Sequence, residues 1–259
     1  MVRAFVVDKM PVTVYDSMEA AGSAAARDLA AILCESVANS GIASIIVATG
    51  NSQLSFYAAL RTMPDLSWDR IVIFHMDEYL GVSDQHPASF RRQLREKLVE
   101  SVRPRAFYGL AGDASNPEEE LRRYAMLLRQ YPPVACVLGI GENGHIAFND
   151  PPADFETHDD LALVVLDEAS RHQQVGEGHF SHIEEVPRSA MTLTIPALLR
   201  PSHVLAVVPE ARKAVAVRRA LEGPVSRECP ASILRTYKHV HLYLDLQSAS
   251  LFADAIPTS

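Results

Sequence analysis

Three short segments of the chain combine residues that can hold an anion or move a proton. The first is Ala48-Thr49-Gly50-Asn51-Ser52. Gly50 permits a tight turn at positive φ, and Thr49, Asn51 and Ser52 offer side-chain donors. A helix starting there would add free N–H groups and a dipole that favours phosphate. A plain turn with a polar cap would use the same residues. The second segment is Phe74-His75-Met76-Asp77-Glu78-Tyr79, with two adjacent carboxylates at the end of an apolar run. A carboxylate at the mouth of a pocket can be tuned for general-base work; a solvated strand end is the competing reading. The third runs Gly139-Ile140-Gly141-Glu142-Asn143-Gly144-His145-Ile146-Ala147-Phe148-Asn149-Asp150-Pro151. Its glycines, Gly144 among them, let backbone approach a ligand closely. His145 brings an imidazole, the side chain most used for proton transfer near physiological pH, and Asn143 or Asp150 could orient it. A fourth, weaker feature is Arg212-Lys213, where a helix start and a cation could clamp one phosphate; a solvated lysine is the alternative.

Alternating apolar runs and helical patterns must carry these segments. Strands are expected at Ile42–Thr49, Arg70–Met76, Val134–Ile140, Leu161–Leu166, His203–Val208 and Val240–Leu244. Their near-continuous apolar character suits strands covered on both faces. Helices are expected at Ser17–Val37, Gln53–Met63, Ser89–Val99, Pro117–Gln130 and Glu210–Leu221. Asn116 and Pro117 make a good helix start, and Gly223 and Pro224 a good stop. Buried strands separated by helices predict an α/β fold with a doubly wound, mostly parallel sheet and helices on both faces, Rossmann-like. With no repeat or linker-like stretch, residues 1–259 read as a single domain. Residues 151–196, irregular and rich in His and Glu, form a candidate lid segment within it. In such sheets ligands bind beyond the carboxyl ends of the strands, at the topological switch point, and each of the three segments follows or ends an expected strand.

Composition narrows the classes. The chain has 259 residues, is 48% hydrophobic and carries a formal net charge of −8. It is long enough to bury a sizeable core, and its acidic balance argues against general binding to nucleic acid or anionic membrane. The three cysteines, Cys34, Cys136 and Cys229, form no CxxC pair. That odd count suits a reducing compartment, with Cys136 a buried thiol inside an apolar run. No secretory leader pattern stands at the N-terminus, and no apolar run approaches the roughly 20 residues of a membrane span. A cytoplasmic enzyme is expected. His172, His179 and His182 lack a His-Glu-x-x-His or cysteine partner set, so no metal site is expected. Gly139, Gly141 and Gly144 spell GxGxxG, but Pro151 and Pro152 follow where a dinucleotide helix should run, so a nicotinamide cofactor is disfavoured.

In order, the Thr-Gly loop, Met-Asp-Glu-Tyr, Gly-x-Gly-x-x-Gly-His-Ile-Ala-Phe-Asn, Val-Pro with Thr-x-Thr, and the helix at Lys213 resemble the glucosamine-6-phosphate deaminases. These lie within the wider group that includes 6-phosphogluconolactonases. The resemblance runs from about Ile45 to Leu244, and Ile146-Ala147-Phe148-Asn149 points to the deaminase branch. It implies aldose–ketose isomerisation with loss of ammonia, from glucosamine 6-phosphate to fructose 6-phosphate, without metal or organic cofactor. By motif position, Asp77 would be the base, His145 would assist ring opening, and Asn143 and Asp150 would tune it. Thr49, Gly50, Asn51, Ser52, Gly144 and Lys213 would hold the substrate. Two departures stand out: Asn143 replaces the family's usual Asp, and Asp150 its usual Glu. The family's lid arginine has a candidate in Arg171. The expected partner is a phosphorylated amino sugar, with a homo-oligomer left open. The rival functions are a 6-phosphogluconolactonase and a non-catalytic sugar-phosphate sensor.

Overall fold

The computed structural model describes residues 3–252. An antiparallel hairpin opens the chain, β1 (Arg3–Val7) and β2 (Met10–Tyr15). It is followed by α1 (Met18–Ser40), capped by the Ser17 side chain and ended by Gly41 in the left-handed conformation, the usual start and stop chemistry. Next come β3 (Ala43–Val47), α2 (Leu54–Leu60), β4 (Ile71–His75) and the short β5 (Asp77–Tyr79). One continuous helix then comprises α3 (Phe90–Leu94), a π-helical turn (Arg95–Val99) and α4 (Glu100–Val102). The chain continues through β6 (Ala106–Tyr108), α5 (Pro117–Gln130), β7 (Ala135–Leu138), β8 (Leu161–Val165), α6 (Glu168–Gly176) and β9 (Ser189–Leu193). It ends with α7 (Ile195–Leu199), β10 (His203–Val208), α8 (Ala214–Glu222) and β11 (Val240–Asp245).

Eight strands form the main sheet in the order β1-β2-β11-β10-β7-β3-β4-β6. Every pairing after the opening hairpin is parallel. Successive side chains point to opposite faces, so Ile45 and Val47 enter the core under α1 and α2 while Ile46 enters the core under α5, α7 and α8. Both faces are therefore dry, which is why β3, β4 and β7 are apolar but for Ser44 and His75. From β3 the chain winds one way to β4 and β6, and from β7 the other way to β10 and β11. The crevice beyond the carboxyl ends of β3 and β7 is the switch point.

One expectation is corrected. Leu161–Leu166, read as a strand of the main sheet, forms β8 at the edge of a separate antiparallel sheet, β5-β9-β8. Leu163 and Val165 of β8 are exposed. An apolar run of that length is compatible with either setting, so periodicity alone does not separate them. The region 151–196, read as less regular than the rest, carries β8, α6 and β9. It shares a small core, including Tyr79, Phe90, Phe148 and Phe180, with β5 and α3. The Tyr79 ring lies 4.9 Å from Phe90, 5.3 Å from Phe148 and 5.4 Å from Phe180.

Candidate active site

The loop after β3 reaches its shape through Gly50, at φ 103 and ψ 158, a region open essentially only to glycine. A 3-10 turn (Asn51–Gln53) follows and leads into α2. Buried Gln53 fastens the loop to β10 by donating Nε2 to the Val207 carbonyl at 3.0 Å. Thr49, Gly50 and Ser52 line a cleft of about 550 Å³ including its open mouth. Asn51 instead donates Nδ2 to the Glu177 carbonyl at 3.2 Å.

Asp77 and Glu78 are neighbours with different surroundings, because adjacent strand residues face opposite ways. Asp77 lines the cleft at 6% exposure. Burial, reinforced by the Glu78 charge, holds its carboxyl well above the usual aspartate range. Glu78 is inaccessible and accepts from the Ser89 hydroxyl at 2.8 Å and from the Tyr79, Phe90 and Arg91 N–H groups at 2.9–3.1 Å. It joins β5 to the start of α3, where free N–H groups favour a carboxylate. Burial raises the Glu78 carboxyl too, with those hydrogen bonds opposing.

His145 stands across the cleft in the loop after β7. Gly141 is required there, because a Cβ on it would lie 2.3 Å from Nε2 and Cε1 of the His145 ring. On the other side of the ring, Nδ1 lies 3.2 Å from Asp150 Oδ1 and 2.9 Å from Ser170 Oγ. Ser170 also donates to Asp150 Oδ1, and the Asp167 N–H donates to Asp150 Oδ2 at 3.0 Å. Burial would raise the Asp150 carboxyl, but hydrogen bonds from His145, Ser170 and the Asp167 N–H bring it down to about 2. Asn143 braces this group rather than the cleft. Its Nδ2 reaches Asp167 Oδ2 at 3.0 Å and Asp150 Oδ1 at 3.3 Å, and its Oδ1 accepts from the His145 N–H at 3.0 Å. Ala147, on the cleft wall, holds the left-handed conformation at φ 50, a local strain typical of functional loops.

The far wall comes from α6 and the turn after it, through Gln173, Gln174, Glu177 and His179. Sequence reading missed their role. A helix pattern from Asp167 to Gly176, begun by the Asp167 cap, was the available signal, with Gln173 and Glu177 one turn apart on a common face. His179 Nδ1 pairs with Gln174 Oε1 at 2.9 Å, and its ring lies 6.2 Å from that of Phe90. His172 lies outward beside Glu168, so the three histidines do not converge. Among the described residues no group of three or more His, Cys, Asp or Glu could hold a metal ion.

Lys213 closes the cleft at 3% exposure. The helix expected from Glu210 starts later; a 3-10 turn (Ala211–Lys213) precedes α8. Burial and the neighbouring Arg212 charge lower the Lys213 ammonium. Two residues expected to hold substrate do not line the cleft. Gly144, at φ 94, faces Cys229, whose Sγ would lie 3.0 Å from a Cβ there. Arg171 donates to the Ile183 and Val186 carbonyls; neither residue lines the cleft. The structure thus brings together Thr49, Gly50, Ser52, Asp77, His145 and Lys213, with Asn143 and Asp150 behind the histidine.

The family model described as glucosamine-6-phosphate isomerases/6-phosphogluconolactonase matches residues 16–243. A glucosamine-6-phosphate deaminase of Exiguobacterium sibiricum is 37% identical over 213 residues, covering 82% of each chain. One of Bacillus cereus is 35% identical over 210 residues, covering 81% of this chain and 78% of its own. Among solved structures, a monomeric glucosamine-6-phosphate deaminase superposes with a TM-score of 0.84 at 29% identity, covering 93% of this chain and 99% of its own. A 6-phosphogluconolactonase of Shewanella baltica shares the fold, with a TM-score of 0.76 at 21% identity over 93% and 99%.

Proposed function

The chain belongs to the glucosamine-6-phosphate isomerase/6-phosphogluconolactonase family, and from that premise we propose that it converts glucosamine 6-phosphate and water to fructose 6-phosphate and ammonia. The observation that carries this reading is the meeting of Asp77 and His145, from separate segments, in one cleft with the Thr49-Gly50 loop and Lys213. A lactone hydrolysis needs no base for a carbon-bound proton. A buried carboxylate with raised proton affinity, facing the same cleft as an imidazole, is what an isomerisation uses.

The roles follow from position. The loop of Thr49, Gly50, Asn51 and Ser52, with Lys213, takes the phosphate and holds the sugar by a group remote from the reacting carbons. His145 moves a proton from the anomeric hydroxyl to the ring oxygen, which opens the pyranose. Asp150 and Ser170 hold the inner ring nitrogen, so the outer nitrogen does the work. Asp77 takes the proton from carbon 2 and returns it to carbon 1, while the aldehyde oxygen gains a proton and the ammonium gives one up, leaving a hydroxyl at carbon 1 and an imine at carbon 2. The resulting imine at carbon 2 adds water and expels ammonia. The replacement of the family's Asp by Asn143 leaves one carboxylate, Asp150, directly against the imidazole. The partner is a phosphorylated amino sugar. We place the reaction in the cytoplasm, on the strength of three free thiols.

The test is release of ammonia and fructose 6-phosphate from glucosamine 6-phosphate, run beside the galactosamine and mannosamine epimers and 6-phosphogluconolactone. Turnover of glucosamine 6-phosphate above the others is expected. Strong lactone hydrolysis with no ammonia from any amino sugar would overturn the reading.

A further inference from the structure

Arg212 precedes the cleft lysine in a turn set by Glu210 at φ 86, whose N–H donates to the Asp245 carboxylate at 3.2 Å. Its guanidinium is enclosed by carboxylates. Nε donates to Glu210 Oε2 at 2.8 Å, and Nη1 donates to Glu142 Oε1 at 3.1 Å and to Glu177 Oε1 at 2.8 Å. Glu177 is the C-cap of α6, and its side chain is 5% exposed. Gln173 Nε2 donates to the same Glu177 oxygen at 2.9 Å. The other oxygen, Oε2, lies 3.7 Å from where a Cβ on Gly50 would stand. A carboxylate of the protein itself therefore sits against the loop read as the anion site, between Arg212 and Gly50.

This arrangement opposes a bound phosphate. Glu142, Glu177 and Glu210 already outnumber Arg212 and Lys213. A phosphate dianion beside an undisturbed Glu177 would add like charge in a partly desolvated space. If Glu177 swings away, Arg212 loses one anionic partner and turns its planar fork, suited to phosphate, toward the vacated position. Arg171, the sequence-based candidate for a second cation, is engaged with two backbone carbonyls.

Resting on the reading of this cleft as a sugar-phosphate site, we propose that Arg212 is the second phosphate-binding cation and that Glu177 is a tethered stand-in displaced by the substrate's phosphate. Displacement costs affinity, as it does whenever the competent state must first be populated. It also reports on α6, because Glu177 ends the helix whose first turn holds Ser170 against His145.

Binding of inorganic phosphate to the intact protein, followed by calorimetry, tests this without relying on turnover. Glu177→Gln keeps the shape and removes the competing charge, so phosphate should bind about tenfold tighter, the order expected for one charge-assisted hydrogen bond. Arg212→Gln should bind phosphate about tenfold more weakly and raise KM for glucosamine 6-phosphate more than it lowers kcat. In the double variant the gain from Glu177→Gln should vanish. If Arg212→Gln fails to fold, Arg212→Lys serves, with several-fold weaker binding expected. Unchanged or weaker phosphate binding in Glu177→Gln overturns the proposal, as does unchanged binding in the Arg212 variants. A purely structural role for Glu177 predicts that weakening. The amino-sugar assay is separate: failure to release ammonia with this order of phosphate affinities intact would sink the reaction and leave the anion site standing.

Discussion

At the scale of single residues, burial does the chemical tuning. Because the Asp77 carboxyl is raised by burial and by Glu78, its ionised form is disfavoured in the folded protein. That penalty is absent below the ordinary aspartate pKa, grows as pH rises through the raised one, and is complete above it. Asp77→Asn should therefore lower kcat by about a thousandfold, the scale of a lost general base. It should also raise Tm at pH 8 but not at pH 4. Wild-type turnover at pH 8, or an unchanged Tm there, would contradict the assignment. Asp150 has the opposite sign. Its carboxyl falls from 3.8 to about 2, so its stabilisation is present above the ordinary value and lost as pH drops through the lower one. Asp150→Asn should cost on the order of 2 kcal/mol at pH 7, a difference that denaturant titrations should see shrink between pH 4 and pH 2. The acidic pair after β4 was legible as candidate chemistry. Which member faces the cleft was not, since that depends on β5 pairing with β9.

At the scale of elements, α6 links the far wall of the cleft to the His145 group. Its cap, Asp167, accepts from the Ser170 N–H at 2.6 Å and from Asn143 at 3.0 Å, while its own N–H holds Asp150. Asp167→Ala should cost about 1 kcal/mol, as lost caps do. Hydrogen exchange should speed up across Glu168–Gly176 before it does in the main sheet, and kcat/KM should fall with it. Uniform exchange across the protein would argue that the cap matters only to global stability. The strands flanking the switch point were readable because a strand dry on both faces is nearly all apolar. The opening hairpin and the small sheet were not. In β8 exposed and half-buried positions alternate among apolar residues, so no polar side chain marks the solvated face.

For the whole molecule, the arrangement of thiols offers a simple check. Cys136 and Cys229 are buried and Cys34 is exposed, and burial pushes the Cys136 thiol up, which lowers its reactivity. A thiol reagent should modify one cysteine in the native protein and all three in denaturant; rapid native labelling of Cys136 would contradict the packing around β7. Sequence alone determined the alternation of buried strands and helices, the three post-strand segments and their family resemblance. These are local properties, since apolar continuity, glycine spacing and caps are written in neighbouring residues. Tertiary structure alone decided that β8 leaves the main sheet, that Asn143 and Ser170 stand behind His145, that Arg171 lies away from the cleft and that Glu177 sits between Arg212 and the Gly50 loop. Each of those depends on contacts between residues far apart in the chain, where side-chain direction and competing partners, not residue type, choose the outcome.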